Sequence, residues 1–207
     1  MTTYPGLPAP EVSAHLTREA SRQVYAAGTE FAIDRVSMVG STGTYLDSPS
    51  HRYADGVDLA GLPLSSLVDL PAVVVRTAGG GVRAVDVYAL ADLDVAGCAV
   101  LLHTGGDAAW GTPAYADNAP FLTGAGAAWL VEHQAALVGI DAVNIDEITS
   151  RGERPAHSLL LAAAIPVVEH LTGLGQLPAG GAFHRSAAAV RRVRHLPGPG
   201  LRRRTRS

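Results

Sequence analysis

Short apolar runs separated by stretches of helical periodicity set the limits on what this chain can fold into. Leu70-Pro71-Ala72-Val73-Val74-Val75, Ala99-Val100-Leu101-Leu102, Ala136-Leu137-Val138-Gly139-Ile140 and Ile165-Pro166-Val167-Val168 are too short for buried helices and rich in β-branched residues. They read as buried strands. Between them, Asp86 to Leu93, Leu122 to Gln134 and about Ala156 to Ala164 carry helical patterns. Thr123 is placed to cap the second, where Trp129, Leu130 and His133 fall at helical spacing, and Pro166 stops the third. Strands alternating with helices predict an α/β fold. With 207 residues, no repeat and no interdomain linker, a single domain around one core is expected.

Composition narrows the function classes. The chain is 47% hydrophobic and 17% charged, the balance of a folded protein, and its 5% aromatic content leaves Ala, Val and Leu to fill the core. The single cysteine, Cys98, excludes an internal disulfide and sits in an apolar run, as a small buried hydrophobe does. No apolar run approaches the ~18 residues of a membrane span, and no basic-then-apolar leader opens the chain, so a cytoplasmic protein without membrane contact is expected. Net charge is −3, yet eight of the sixteen arginines lie between Arg185 and Arg206; without those eight charges the first 184 residues carry −11. An acidic body disfavours nucleic acid as a partner.

The segment Gly40-Ser41-Thr42-Gly43-Thr44-Tyr45-Leu46-Asp47-Ser48-Pro49-Ser50-His51 carries the most chemistry. If extended, it puts Ser41, Gly43, Tyr45 and Asp47 on one face, and Pro49 then interrupts pairing and re-aims His51. A carboxylate beside an imidazole can bind a metal or move protons. Asp-Ser-Pro is also an ordinary turn signal, and the residues alone leave both readings open.

Gly43-Thr44-x-x-Asp47-x-Pro49-x-His51 resembles the core motif, His-x-Gly-Thr-His-x-Asp-x-Pro-x-His, of the cyclase family that includes bacterial kynurenine formamidase and isatin hydrolase. The likeness continues through His51–Leu59, Thr104-Gly105, Val138–Asp141, His157–Leu160 and Ile165–Leu171, covering about residues 1 to 183. It implies a swivelling β/β/α fold and a homo-oligomer, a dimer or tetramer. Carried over by position, it makes Asp47, His157 and Glu169 metal ligands and His51 the catalytic acid/base. Ser41 and Tyr45 stand at the motif's two other histidines, which implies a depleted site holding one divalent metal, Zn or Mn.

That set would support hydrolysis of a C–N bond in an amide, formamide or lactam. A metal-bound water with its pKa lowered towards ~7 supplies the hydroxide that attacks, while His51 carries the proton to the leaving nitrogen. Tyr45 is either an oxyanion donor or a space-filling residue. Ser41, Arg52 and Trp110 are expected around the small-molecule substrate, Arg52 with pairing to Asp55 or Asp58 as its alternative. His133 and His170 read as surface and packing residues, and Gly79-Gly80-Gly81 as a turn. The rival function is a metal-free homologue that binds a small molecule without turning it over.

Both ends depart from the family's pattern. Residues 184–207 form an Arg-rich tail, whereas the family closes with Gly-Thr-Phe-Pro-Val-Arg-Ala. Codons can be chosen for Arg194–Arg204 that give this ending after a one-nucleotide shift, so a frameshift near His184 is expected; an intact frame in independent reads of the locus would overturn it. Met1-Thr2-Thr3-Tyr4-Pro5-Gly6 resembles an internal stretch of the family, which implies a late start.

Overall fold

A computed structural model describes residues 3–149, 152–178 and 180–184. The expected tail frameshift lies beyond these residues.

Six strands form the main sheet: β3 (Tyr45–Asp47), β4 (Val68–Arg76), β6 (Ala99–His103), β8 (Leu137–Ile140), β9 (Val167–Glu169) and β10 (Gly180–His184). Their order across the sheet is β10-β4-β6-β8-β9-β3. The central four are parallel, while β10 and β3 close the two edges antiparallel. All four apolar runs thus become adjacent parallel strands; β6, β8 and β9 are buried on both faces, and β4, next to the edge strand, only in part. Within β6, Val100 and Leu102 point into the main core with Leu130, Leu160 and Leu161, while Ala99 and Leu101 face the opposite side.

Two helices cover the first face, α2 (Gly124–Glu132) and α3 (Pro155–Ala162), packed on each other. Thr123 caps α2 as expected, its hydroxyl accepting from the Gly126 N–H at 3.0 Å. The helix expected over Asp86–Leu93 is instead a single 3₁₀ turn, Val87–Ala89. Asp86 accepts from the Val87 N–H and from the Thr123 hydroxyl, which ties the segment to the start of α2; so short a stretch does not propagate a helix without packing support.

Outside the main sheet, β5 (Ala84–Val85) pairs with β7 (Phe121–Leu122). The N-terminal ribbon of β1 (Glu11–Leu16) and β2 (Ile33–Ser37), with the one-turn helix α1 (Arg18–Ser21) between them, is largely exposed, Val12, Phe31 and Ile33 included. Among the described residues no helix is long and apolar enough to cross a membrane. The fold is a single α/β domain with a mixed sheet and flanking helices, as the sequence implies.

Candidate metal centre

The carboxyl ends of parallel strands are where α/β sheets gather ligands, and here β8 and β9 end beside edge strand β3. The antiparallel register sets Tyr45 opposite Glu169 and Asp47 opposite Val167. Tyr45 and Asp47 therefore share a face, as alternation requires. Ser41 does not join them on a strand, because regular extension begins only at Tyr45 and Gly43 takes a left-handed φ of 72°. Ser41 instead lines a pocket of about 410 Å³ together with Val39, Tyr45, Asp47 and His51.

Pro49 does more than end the strand. It opens a 3₁₀ turn, Pro49–His51, which folds the imidazole back so that His51 Nδ1 lies 3.5 Å from Asp47 Oδ1. From the far side, α3 brings His157 Nε2 to 3.5 Å from Asp47 Oδ2. The same nitrogen lies 3.5 Å from Glu169 Oε1 at the end of β9. Asp47, His51 and His157 thus form a cluster whose ligand atoms all lie within 4.8 Å of one another.

This cluster corrects one expectation. The sequence comparison implied a depleted site, with Ser41 and Tyr45 replacing two ligating histidines and His51 left outside the ligand set. The structure holds an intact Asp/His/His triad, because the turn after Pro49 returns His51 to the carboxylate four residues before it. The Tyr45 hydroxyl donates to Glu169 Oε2.

Burial separates the members. The side chains of Asp47 and His157 are 7% and 5% exposed, that of His51 56%. Asp47 Oδ2 and His157 Nε2 are fully enclosed and face each other without a hydrogen-bond partner. Orphaned buried polar atoms are rare and call for a missing partner. A cation between them fits this donor set, since a carboxylate and two imidazoles suit a divalent transition metal. A candidate divalent-metal site is therefore present.

The charge pattern agrees with a site built for a cation. Burial works against protonated His157, but the hydrogen bond it donates to Asp146 and the nearby Asp47 and Glu169 carboxylates outweigh it and raise its pKa to about 9. Burial lifts Glu169 to about 7, opposed by His157, by Tyr45 and by the Ile145 N–H that donates to Oε1 at 2.5 Å. Burial, then the Glu169 carboxylate, pushes the Tyr45 phenol upward, so it remains an O–H donor.

The remaining candidates lie around the triad at different removes. Arg52 is exposed, its guanidinium 5.4 Å from the Tyr53 ring centroid and its Nε donating to Ser158 Oγ at 3.3 Å. Trp110 belongs to an aromatic cluster behind Glu169, packed edge-on to Tyr115 and to His170. His170 is buried there, stacked under Tyr4 and hydrogen-bonded through Nδ1 to the Tyr115 hydroxyl at 2.9 Å, in keeping with its reading as a packing residue. His133 stacks on Trp129 at the end of α2.

Sequence reasoning missed Asp146 and the Ile145 N–H, both in the loop after β8. The signal available was their position: an acidic residue in the loop that leaves the carboxyl end of a predicted central strand is a site candidate by topology alone.

Comparison with known proteins follows the same lines. The sequence profile of the cyclase family matches residues 3–147. The kynurenine formamidase of Geobacillus thermodenitrificans is 27% identical over 141 residues, 67% of this chain, and the chain spans 64% of that relative's length. A potential metal-dependent hydrolase with cyclase activity superposes with a TM-score of 0.65 at 25% identity, over 87% of this chain and 82% of the other. Isatin hydrolase A from Ralstonia solanacearum shares the fold, with a TM-score of 0.68 over 88% of this chain and 79% of that one, at 21% identity.

Proposed function

The chain belongs to the cyclase family, and from that premise we propose that it is a metal-dependent hydrolase of a C–N bond in an amide, formamide or lactam. The observation that carries this reading is the pair of enclosed, unpartnered atoms, Asp47 Oδ2 and His157 Nε2, with His51 beside them. Asp47, His51 and His157 hold one divalent cation, Zn or Mn. A cation there supplies Lewis-acid polarisation and a water acidic enough to lose its proton near neutral pH.

The chain's own residues do the rest. Asp47 provides negative charge and His157 a neutral nitrogen from within the protein. Glu169 lies behind them, its two oxygens occupied by the Ile145 N–H and the Tyr45 hydroxyl. Tyr45 is the phenol available to a developing oxyanion, at the cost of its bond to Glu169. Ser41 forms pocket wall, and the exposed Arg52 and the more remote Trp110 are the outer contacts for a small-molecule substrate. The exposed apolar side chains of the β1–β2 ribbon support a homo-oligomer, dimer or tetramer.

A second reading of His51 rests on its 56% exposure. A half-solvated imidazole can carry a proton to the leaving nitrogen and return it to water, which a fully buried one cannot. His51→Ala separates the two: a ligand role predicts loss of bound metal, an acid/base role predicts metal retained with activity lost. The reading as a whole is tested by metal analysis of the purified protein with an activity screen on formamides, lactams and cyclic imides. Near-stoichiometric Zn or Mn with turnover is expected; binding of such compounds without metal or turnover would overturn it in favour of a non-catalytic binding protein.

A further inference from the structure

His157 is the most enclosed ligand of the triad, and a histidine binds a cation through one nitrogen only if the other holds the proton. Which nitrogen is free is settled by what the other touches. His157 Nδ1 lies 2.7 Å from Asp146 Oδ2, and Asp146 is itself buried. A carboxylate without a proton can only accept, so Nδ1 must donate, and Nε2 is the nitrogen whose lone pair a cation beside Asp47 takes once it displaces the ring's second proton.

The same carboxylate has a second task. Helix α3 starts without a local cap: Arg154 makes no side-chain capping bond and Pro155 has no N–H. Asp146 stands in from ten residues upstream, Oδ1 accepting from the Ala156 N–H at 2.6 Å and Oδ2 from the His157 N–H at 3.1 Å. The backbone and the ring of His157 are thus fixed by one anion, whose own N–H is held by Asn144 Oδ1 at 3.0 Å. The sequence needed is short: the loop leaves β8, places Ile145 N–H on Glu169 and, one residue later, the Asp146 carboxylate on His157.

We propose that Asp146 is a positioning residue of the metal site, which sets His157 in the Nδ1–H tautomer and anchors it at the head of α3. The inference rests on the metal reading above and assigns to it a residue outside the triad. Asp146→Asn keeps size and shape. If its amide oxygen stays on the Ala156 N–H, its NH₂ faces Nδ1, which must then accept, and the proton moves to Nε2, where it blocks the ligand position.

The test is zinc titration of metal-free full-length protein, wild type against Asp146→Asn, with Glu147→Gln as the control. Glu147 is the next residue and pairs with Arg83, so it removes a charge from the same loop without touching His157. Partners of ligating histidines are worth about 10- to 100-fold in metal affinity, and that loss is expected for Asp146→Asn, with the control within about twofold of wild type. A folded Asp146→Asn protein that binds zinc as wild type does would overturn this inference alone. Absence of zinc binding by wild type would overturn the metal reading and this one with it. Nitrogen-15 NMR of zinc-loaded wild type reads the tautomer directly, whether or not the variant folds. A proton on Nδ1 of His157 is expected, and a proton on Nε2 would overturn the assignment.

Discussion

The two imidazoles of the triad come from regions built in opposite ways. His51 hangs from a three-residue 3₁₀ turn at a sheet edge, half in solvent, with one carboxylate near its Nδ1. His157 sits in the first turn of α3, buried, with Asp146 on one nitrogen and Asp47 and Glu169 near the other. The first is easily moved, and the second is fixed before anything binds. A site of this kind keeps its rigid half in the core, where geometry is held by packing, and leaves its adjustable half where substrate and protons arrive.

The largest break in that contrast comes from the rigid side. His157→Ala leaves Asp47, Asp146 and Glu169 buried with no imidazole between them, and unpaired buried charge is costly. Stability should fall by about 3 kcal/mol or more in denaturant titration, and stoichiometric metal should disappear. His51→Ala should spare the fold and strike the site. Its stability should stay within about 0.5 kcal/mol of wild type, since exposed positions carry little, while bound metal falls if the ring is a ligand, or turnover drops by roughly 10²- to 10⁴-fold with metal retained if it serves as acid/base.

Proton competition sharpens the same comparison. His157 in the metal-free protein holds its proton up to about pH 9, so a cation binding at lower pH has to displace it. Zinc affinity should therefore rise with pH, by roughly tenfold per unit for one displaced proton, and level off above about 9. A flat profile measured by chelator competition between pH 6 and 8 would show that the cation displaces no proton from His157. The smallest effect is expected furthest out. Arg52→Ala should change stability by less than about 0.5 kcal/mol, and steady-state kinetics should show a raised KM with kcat unchanged.

How far the sequence reached depends on how local each signal is. The four apolar runs announce buried strands because burial leaves no room for polar alternation, and their parallel pairing emerges in the sheet. Thr123 announces the start of α2 because capping is settled within three residues. The segment from Asp86 to Leu93 misleads for a matching reason: its periodicity suits a helix, but Asp86 is bonded to Thr123, which lies far along the chain. The site divides along the same line. Asp47 and His51 lie four positions apart and are readable as a motif. The place of His51 within the ligand cluster depends on the turn that Pro49 opens, and the share of Asp146 depends on where α3 starts relative to β8.

The resemblance to the cyclase family pointed to positions 157 and 169; the chain's order of residues, taken by itself, determined the α/β class, the strands of the core and the Asp47/His51 motif. Those follow from burial and from spacing, which act over a few residues. Tertiary structure alone decided which atoms face one another. The 3.5 Å approach of His157 to Asp47 joins an edge strand to a helix more than a hundred residues later, and it is set by the register of β3 on β9 and by the seat of α3. Contacts made across such distances arise from packing of whole elements, and no stretch of sequence contains them.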